Sequence, residues 1–143
     1  MIRANAAAWR APLAAPGAAG RERPDRWSAL EYGCHVRDVF RLYDYRLGLM
    51  LTGDDPLYPN WDQDETAVAD DYASQNPAVA ADEIVSAADA LAASFAALSG
   101  DQWLRPGRRS DGASFTVETF GRYLMHDPIH HLYDVTGIPA ATR

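Results

Sequence analysis

The chain has 143 residues, a formal net charge of −7 and 48% hydrophobic residues, a composition that suits one folded domain spanning residues 1–143. All 13 basic residues are arginines and they form no basic run, so we do not expect a nucleic-acid-binding protein. The single cysteine, Cys34, excludes an internal disulfide and any zinc site made of several cysteines.

The N-terminal segment, residues 1–24, is alanine-rich, but arginines interrupt its apolar stretch. It predicts neither a signal peptide nor a membrane anchor, so we expect a cytoplasmic protein without membrane contact. A short first helix is predicted near Arg3 to Leu13, and the rest of the segment is expected to be weakly ordered. So short a helix leaves apolar surface at one end of the domain. Either a homodimer, which we expect, covers that surface, or the true beginning lies upstream of Met1.

The second helix has the strongest signal. Ser28 is followed three residues later by Glu31, the spacing of a capping box, and Gly53 stops the helix after about Leu51. Cys34 lies in this helix and is expected to be a buried small hydrophobic residue.

Turn-rich loops separate the remaining helices, at residues 53–64 and 100–112. Between them we predict a short helix over residues 65–74 and a third long helix from Asn76 and Pro77 to Gly100. No stretch shows the two-residue alternation typical of a strand. The chain is therefore predicted to be all-α, an antiparallel four-helix bundle with a short first helix.

The fourth helix is predicted to begin after Thr116 and to end at Gly137. Pro128 lies inside it and cannot donate a hydrogen bond to the Leu124 carbonyl. We therefore expect a kink in this helix.

The histidines suggest a metal site. His126 and His130 are four residues apart and project from one face of the fourth helix, whereas His131 lies about 100° further round and is expected to face another interface or solvent. In an antiparallel bundle the second and fourth helices run parallel, so we expect His35 to lie within about 4.5 Å of the level of this pair. The three side chains could then converge on a divalent ion and leave coordination positions open. Such a pair also occurs for structural reasons, so its spacing alone leaves metal binding open.

Charged neighbours of the histidines are weaker candidates for a role in catalysis. Asp38 and Asp127, and equally Asp134, could orient a ligand imidazole, and Arg122 could bind a substrate carboxylate. Each is also well explained as ordinary surface charge. Trp61 could cover the metal site or simply anchor a connection between helices.

Four stretches are informative together: WSALEYGCHVRDVFRLYD, PNWDQD, GRRSDGASFTVETF and RYLMHDPIHHLYDV. Over roughly residues 25–137 they resemble the DinB-like four-helix bundle superfamily, which includes DinB/YfiT-like proteins and the N-terminal domains of mycothiol-dependent maleylpyruvate isomerases. The resemblance implies metal ligation by His35, His126 and His130, with zinc the main candidate and nickel or iron as alternatives.

The same resemblance implies a class of reaction. Family members often use low-molecular-weight thiols and form dimers, so it implies a metal-dependent S-transferase or isomerase that uses a mycothiol-type thiol on a small electrophile. Hydrolysis by water at the same metal is a variant. A bundle that binds a metal or small molecule without turnover, and a dimer with vestigial histidines, are the alternatives.

Overall fold

The computed structural model describes residues 1–138; the last residues of the predicted domain lie outside this range. The predicted first helix forms as two short helices, α1 (Ile2–Ala8) and α2 (Arg10–Ala14), joined at Trp9. Pro12 has no N–H to donate to the Ala8 carbonyl, which explains the interruption. The Trp9 side chain is fully buried, and its Nε1 donates a hydrogen bond to the Asn5 side chain.

The second predicted helix is α3 (Ala29–Thr52), and it begins where the capping signal places it. The Glu31 backbone N–H donates to Ser28 Oγ over 3.1 Å, and the Ser28 N–H donates to the Glu31 carboxylate over 3.1 Å. The capping box confirms the predicted start, and α3 ends one residue beyond the predicted Leu51.

The connection after α3 contains a strand, a helix and a 3₁₀ turn before the next long helix. These are β1 (Leu57–Tyr58), α4 (Gln63–Ala69) and the turn Tyr72–Ser74, followed by α5 (Pro77–Ala96). Asn76 caps α5 by accepting hydrogen bonds from two backbone N–H groups, as its position before Pro77 predicts.

A small sheet is present, although the sequence pattern predicts no strand. The strand β2 (Pro106–Arg109) pairs in parallel with β1 and antiparallel with β3 (Ser114–Thr116). The strands are too short to show a two-residue alternation, and the pairing of β1 with β2 joins segments far apart in sequence. The Arg105 side chain also bonds the Met50 and Gly53 carbonyls, which fixes the sheet to the end of α3.

The fourth predicted helix is divided into α6 (Val117–Leu124) and α7 (His126–Thr136). The division falls at Met125, directly after the carbonyl of Leu124 that Pro128 cannot bond, so the expected irregularity is present. Gly137 ends α7 in the left-handed conformation with a φ of 69°.

Side-chain contacts give the directions of the first and third helices of the bundle. Ion pairs join Arg3 to Asp89 and Arg10 to Asp82, so α1 and α2 run antiparallel to α5. Arg37 of α3 contacts Glu83 of α5, and Asp44, later in α3, contacts Ser94, later in α5. These two helices are therefore parallel.

The direction of the fourth helix corrects an expectation. Tyr43 of α3 packs on Phe120 at a centroid distance of 4.5 Å, whereas His35, earlier in α3, faces Asp127 and His131, later in the chain. Hence α3 and α6–α7 run antiparallel, and the prediction that they run parallel is wrong. The connection over residues 53–76 runs back along the bundle, so α5 starts at the same end as α3. The up-and-down alternation of helix directions that was expected is therefore not kept.

The core lies between these helices, and its largest fully buried side chains come from every long helix and from β1. They include Trp9, Phe40, Tyr58, Tyr72, Ile84, Leu91, Phe120 and Leu132. The architecture is thus a four-helix bundle with a minor sheet, as predicted for the helical part. Within residues 1–138, none of the helices has the length and apolarity that crossing a bilayer requires.

Candidate metal centre

His35 is the deepest polar side chain of the candidate site. It lies near the start of α3 with no exposed surface, enclosed by aromatic rings. The Trp61 indole stacks on the imidazole at a centroid distance of 5.4 Å and an interplanar angle of 3°, and Trp27 contacts it at 5.5 Å. Neither ring nitrogen has a hydrogen-bond partner among residues 1–138. A buried imidazole without partners is costly, so these nitrogens point to a ligand.

Two side chains of α7 meet His35. The Asp127 carboxylate lies 3.8 Å from His35 Nε2, which is too long for a hydrogen bond, and the His131 ring lies edge-on at a centroid distance of 5.0 Å. One ligand atom from each of the three residues lies within 4.8 Å of the other two. Small side-chain movements would bring them to the bond lengths of about 2.0–2.2 Å that nitrogen and oxygen ligands make to zinc.

Asp134 holds the His131 ring from the other side. Its carboxylate lies 3.3 Å from His131 Nδ1. If Nδ1 carries the proton of this hydrogen bond, then Nε2 keeps the lone pair with which a neutral histidine binds a metal. The predicted orienting role of Asp134 thus has a geometric basis, with His131 as the residue it orients.

The electrostatics of the cluster favour the protonation states of metal ligands. The pKa of Asp127 is lowered, chiefly by the facing His35 and less by charge on His131 and His126, against the opposing effect of burial. The pKa of His131 is also lowered, first by burial and then by His35, although Asp127 and Asp134 oppose this. The carboxylate is therefore ionised and the His131 imidazole neutral at neutral pH.

The structure places the other two predicted ligands outside this cluster. His130 has 64% of its side chain exposed and lies 3.6 Å from Asp134, and His126 is exposed and stacked on Tyr123 at 6.5 Å. His131, expected to face elsewhere, is the α7 histidine that contacts His35. The structure thus brings together His35, Asp127 and His131, and not His35, His126 and His130.

The reason is the face of α7 that the bundle buries. Leu124, Pro128 and Leu132 are buried at a spacing of four residues, and Asp127 and His131 each stand one position before a buried residue. His126 and His130 stand two positions before one, about 200° away round the helix. This apolar spacing was the available sequence signal for the ligand face.

The remaining predicted site residues have other surroundings. Asp38 binds the Arg37 guanidinium at 3.0 Å and accepts a hydrogen bond from the Tyr72 hydroxyl, so it belongs to a polar network between α3 and α5. Arg122 has 77% of its side chain exposed and pairs with Glu118 at 2.7 Å. Cys34 is buried, and burial raises the pKa of its thiol to about 11.

The donor set fits a divalent transition metal. Two imidazoles and one carboxylate, with no thiolate, are typical ligands of catalytic zinc and of non-haem iron. Three protein ligands leave coordination positions for substrate, as in catalytic rather than structural sites. Trp61, predicted either to cover the site or to anchor a connection between helices, forms one wall of this centre.

Comparison with known proteins agrees with this architecture. A family model described as the DinB superfamily matches residues 3–135 of the chain. Among solved structures, YfiT from Bacillus subtilis, described as a probable metal-dependent hydrolase with an unusual four-helix bundle topology, matches with a TM-score of 0.79. The two share 19% identity, and the match covers 94% of this chain and 82% of YfiT. This likeness confirms the predicted fold class. No sequence among curated proteins matches the chain significantly.

Proposed function

The chain belongs to the DinB superfamily, and we propose that it is a divalent-metal-dependent enzyme that activates a nucleophile for attack on a small electrophile. The observation that carries this proposal is His35, a fully buried histidine with two unpartnered ring nitrogens that faces a carboxylate and a second imidazole. In a merely structural histidine, at least one nitrogen would be hydrogen-bonded within the core.

The chain's own residues would divide the work at this centre. His35, Asp127 and His131 would hold the ion, and Asp134 would fix the tautomer and orientation of His131. The Trp61 and Trp27 rings exclude water from the His35 side of the site. A divalent ion supplies Lewis acidity there and lowers the pKa of a coordinated thiol or water. Zinc is the metal we favour, with nickel or iron as alternatives.

We expect the nucleophile to come from outside the chain. Cys34 is the only thiol of the protein, and it is buried with a raised pKa, so it does not serve as a nucleophile. The family resemblance supports a low-molecular-weight thiol of the mycothiol type, hence an S-transferase or isomerase. The description of YfiT as a probable metal-dependent hydrolase supports water as the second candidate.

Metal content tests the site itself. Protein purified without a histidine tag is analysed by elemental mass spectrometry alongside the variants His131→Ala and His130→Ala. We expect close to one metal ion per wild-type chain, a loss in His131→Ala and retention in the matched exposed control His130→Ala. Equal metal content in wild type and His131→Ala would contradict the proposed ligand set. Loss of metal in His130→Ala but not in His131→Ala would instead support the ligands predicted from the sequence, His35, His126 and His130.

Activity assays then separate the two nucleophiles. Metal-loaded protein is given p-nitrophenyl acetate without thiol, and separately a chlorodinitrobenzene electrophile with mycothiol or glutathione. Thiol conjugation lost in His131→Ala supports the transferase, whereas ester cleavage alone supports the hydrolase. Metal binding without either reaction would favour the alternative of a binding protein without turnover.

A further inference from the structure

A cavity adjoins the candidate metal centre on the side of β2. Its volume is about 120 Å³, and it shares Asp127 and Trp61 with the centre. An engineered cavity of about 150 Å³ holds one benzene molecule, so this one holds a group of about five non-hydrogen atoms. Half of the lining residues are aromatic or arginine, namely Tyr43, Arg46, Trp61, Arg109 and Tyr123, and the other half are apolar or amide residues and Asp127.

Arg46 is a buried cation with unused hydrogen-bonding capacity. It is 4% exposed, and its guanidinium lies over the Tyr58 ring at 4.6 Å. The side chain makes one hydrogen bond, to the Pro59 carbonyl at 2.8 Å, and no ion pair with any residue that the structure describes. Because a guanidinium has five N–H donors and buried charges are normally paired, this side chain is suited to an anion from outside the chain.

Arg109 brings a second guanidinium to the cavity. It pairs with Asp111 at 2.9 Å and lies over the rings of Phe115 and Tyr123 at 5.8 Å and 5.7 Å. Asp111 neutralises this arginine, whereas Arg46 has no paired carboxylate among the described residues. The Asp127 carboxylate also lines the cavity and offsets one positive charge unless the proposed metal ion binds it. With Asp127 bound to the ion, one surplus positive charge remains and favours a monoanion over a phosphate dianion, and aromatic walls favour a planar organic body.

We propose that this cavity binds the carboxylate of a small monocarboxylic acid, with Arg46 and Arg109 as its anion-binding residues beside the metal centre. The assignment of this acid as the substrate rests on the proposed function. Arg122, considered for this role from the sequence, is exposed and paired with Glu118, and does not line the cavity.

The test is an NMR titration that follows the indole N–H signal of Trp61, which lies in the cavity wall and donates to Thr66 Oγ1 at 2.7 Å. Crotonate is the probe, crotonamide its uncharged counterpart and inorganic phosphate the competing anion. We expect saturable binding of crotonate, with crotonamide at least about tenfold weaker, since the bonds to a charged group are lost.

Variants assign the binding to the arginines. Arg109→Gln and Arg46→Met should each weaken crotonate binding about tenfold or more, whereas the exposed control Arg122→Gln should leave it unchanged. If Arg46→Met does not fold, Arg109→Gln decides. Equal binding of crotonamide, tighter binding of phosphate, or wild-type affinity in Arg109→Gln would overturn the proposal.

Titrations with chelator and with added zinc separate this proposal from the proposed function. If crotonate binds in chelator and the arginine substitutions weaken that binding, the anion site is supported even if no metal binds. We expect crotonate to bind more weakly in chelator than with zinc, because no metal then neutralises the Asp127 carboxylate. Crotonate binding that needs zinc and ignores both arginine substitutions would mean direct coordination to the metal, and would overturn the anion site while supporting the metal centre.

Discussion

Replacing His35 by leucine should make the metal-free protein more stable. The imidazole is completely buried, and neither nitrogen has a hydrogen-bond partner among the described residues. Leucine has a similar volume and no polar atoms, so the substitution removes two unsatisfied groups from the core. The same substitution removes a proposed metal ligand, so metal should stabilise the wild type relative to the variant and reduce or reverse the advantage of the variant.

The magnitude follows from the surroundings of the ring. A buried polar group without a partner costs roughly 1–3 kcal/mol, and His35 has two such nitrogens. Loss of the stacking on Trp61 offsets about 0.5–1.5 kcal/mol of this gain. We therefore expect a net stabilisation of about 0.5–5.5 kcal/mol, or roughly 3 °C in Tm for each kcal/mol in a chain of this size. In metal at about 1,000 times its Kd, the wild type should gain about 4 kcal/mol that the variant does not.

The assay is thermal and urea unfolding in chelator and in excess zinc, with His130→Leu as a control. That histidine is largely exposed, so its substitution should change stability by less than about 0.5 kcal/mol in both conditions. A destabilised His35→Leu variant in chelator would show that the imidazole has partners in the native state. An equal response of wild type and variant to zinc would refute His35 as a ligand.

The remaining predictions concern charge, reactivity and packing. The pKa of Glu31 is lowered, chiefly because Arg21 binds its carboxylate. The stability that this contributes is present above the ordinary carboxyl pKa and is lost as pH falls through the lowered value. Glu31→Gln should therefore destabilise the protein at pH 7 and make its acid unfolding, followed by circular dichroism, less dependent on pH. Cys34, with its pKa raised to about 11, should react with iodoacetamide at pH 8 about 100-fold more slowly in native than in unfolded protein, and native labelling within tenfold of the unfolded rate would contradict its burial. Gly107→Ala would place a Cβ 2.8 Å from Met50 Cγ and should cost about 1–3 kcal/mol in urea unfolding. Its matched control, Gly48→Ala in α3, meets nothing within 4 Å and should instead stabilise by up to about 1 kcal/mol, and equal effects of the two would contradict the packing argument.

The helices could be predicted because their signals are local. Ser28, Asn76 and Thr116 each cap a helix with a side chain that reaches only two or three residues along the chain. The sheet could not be predicted in the same way, because β1 and β2 lie far apart in sequence and neither is long enough to show a period. The direction of α5 depends on the path of the connection over residues 53–76. That path results from many contacts and cannot be inferred from any single residue of the connection.

The candidate site was predictable in part. The structure places His35 in the cluster, but the mutual spacing of the α7 histidines indicates a pair that lies outside it. Two pairs in this helix have the same spacing: His126 with His130, and Asp127 with His131. Only packing separates them, because Leu124 and Leu132 bury the face beside the second pair.

The position of Trp61 has a consequence for how such a protein can diversify. The proposed ligands are carried by α3 and α7, whereas this wall of the centre is carried by the connection between α3 and α5. Connections accept insertions and substitutions more readily than packed helices do. Changes within residues 53–64 can therefore alter the shape of the candidate site without disturbing the proposed ligands, so the same cluster could be kept in related proteins whose sites differ in shape.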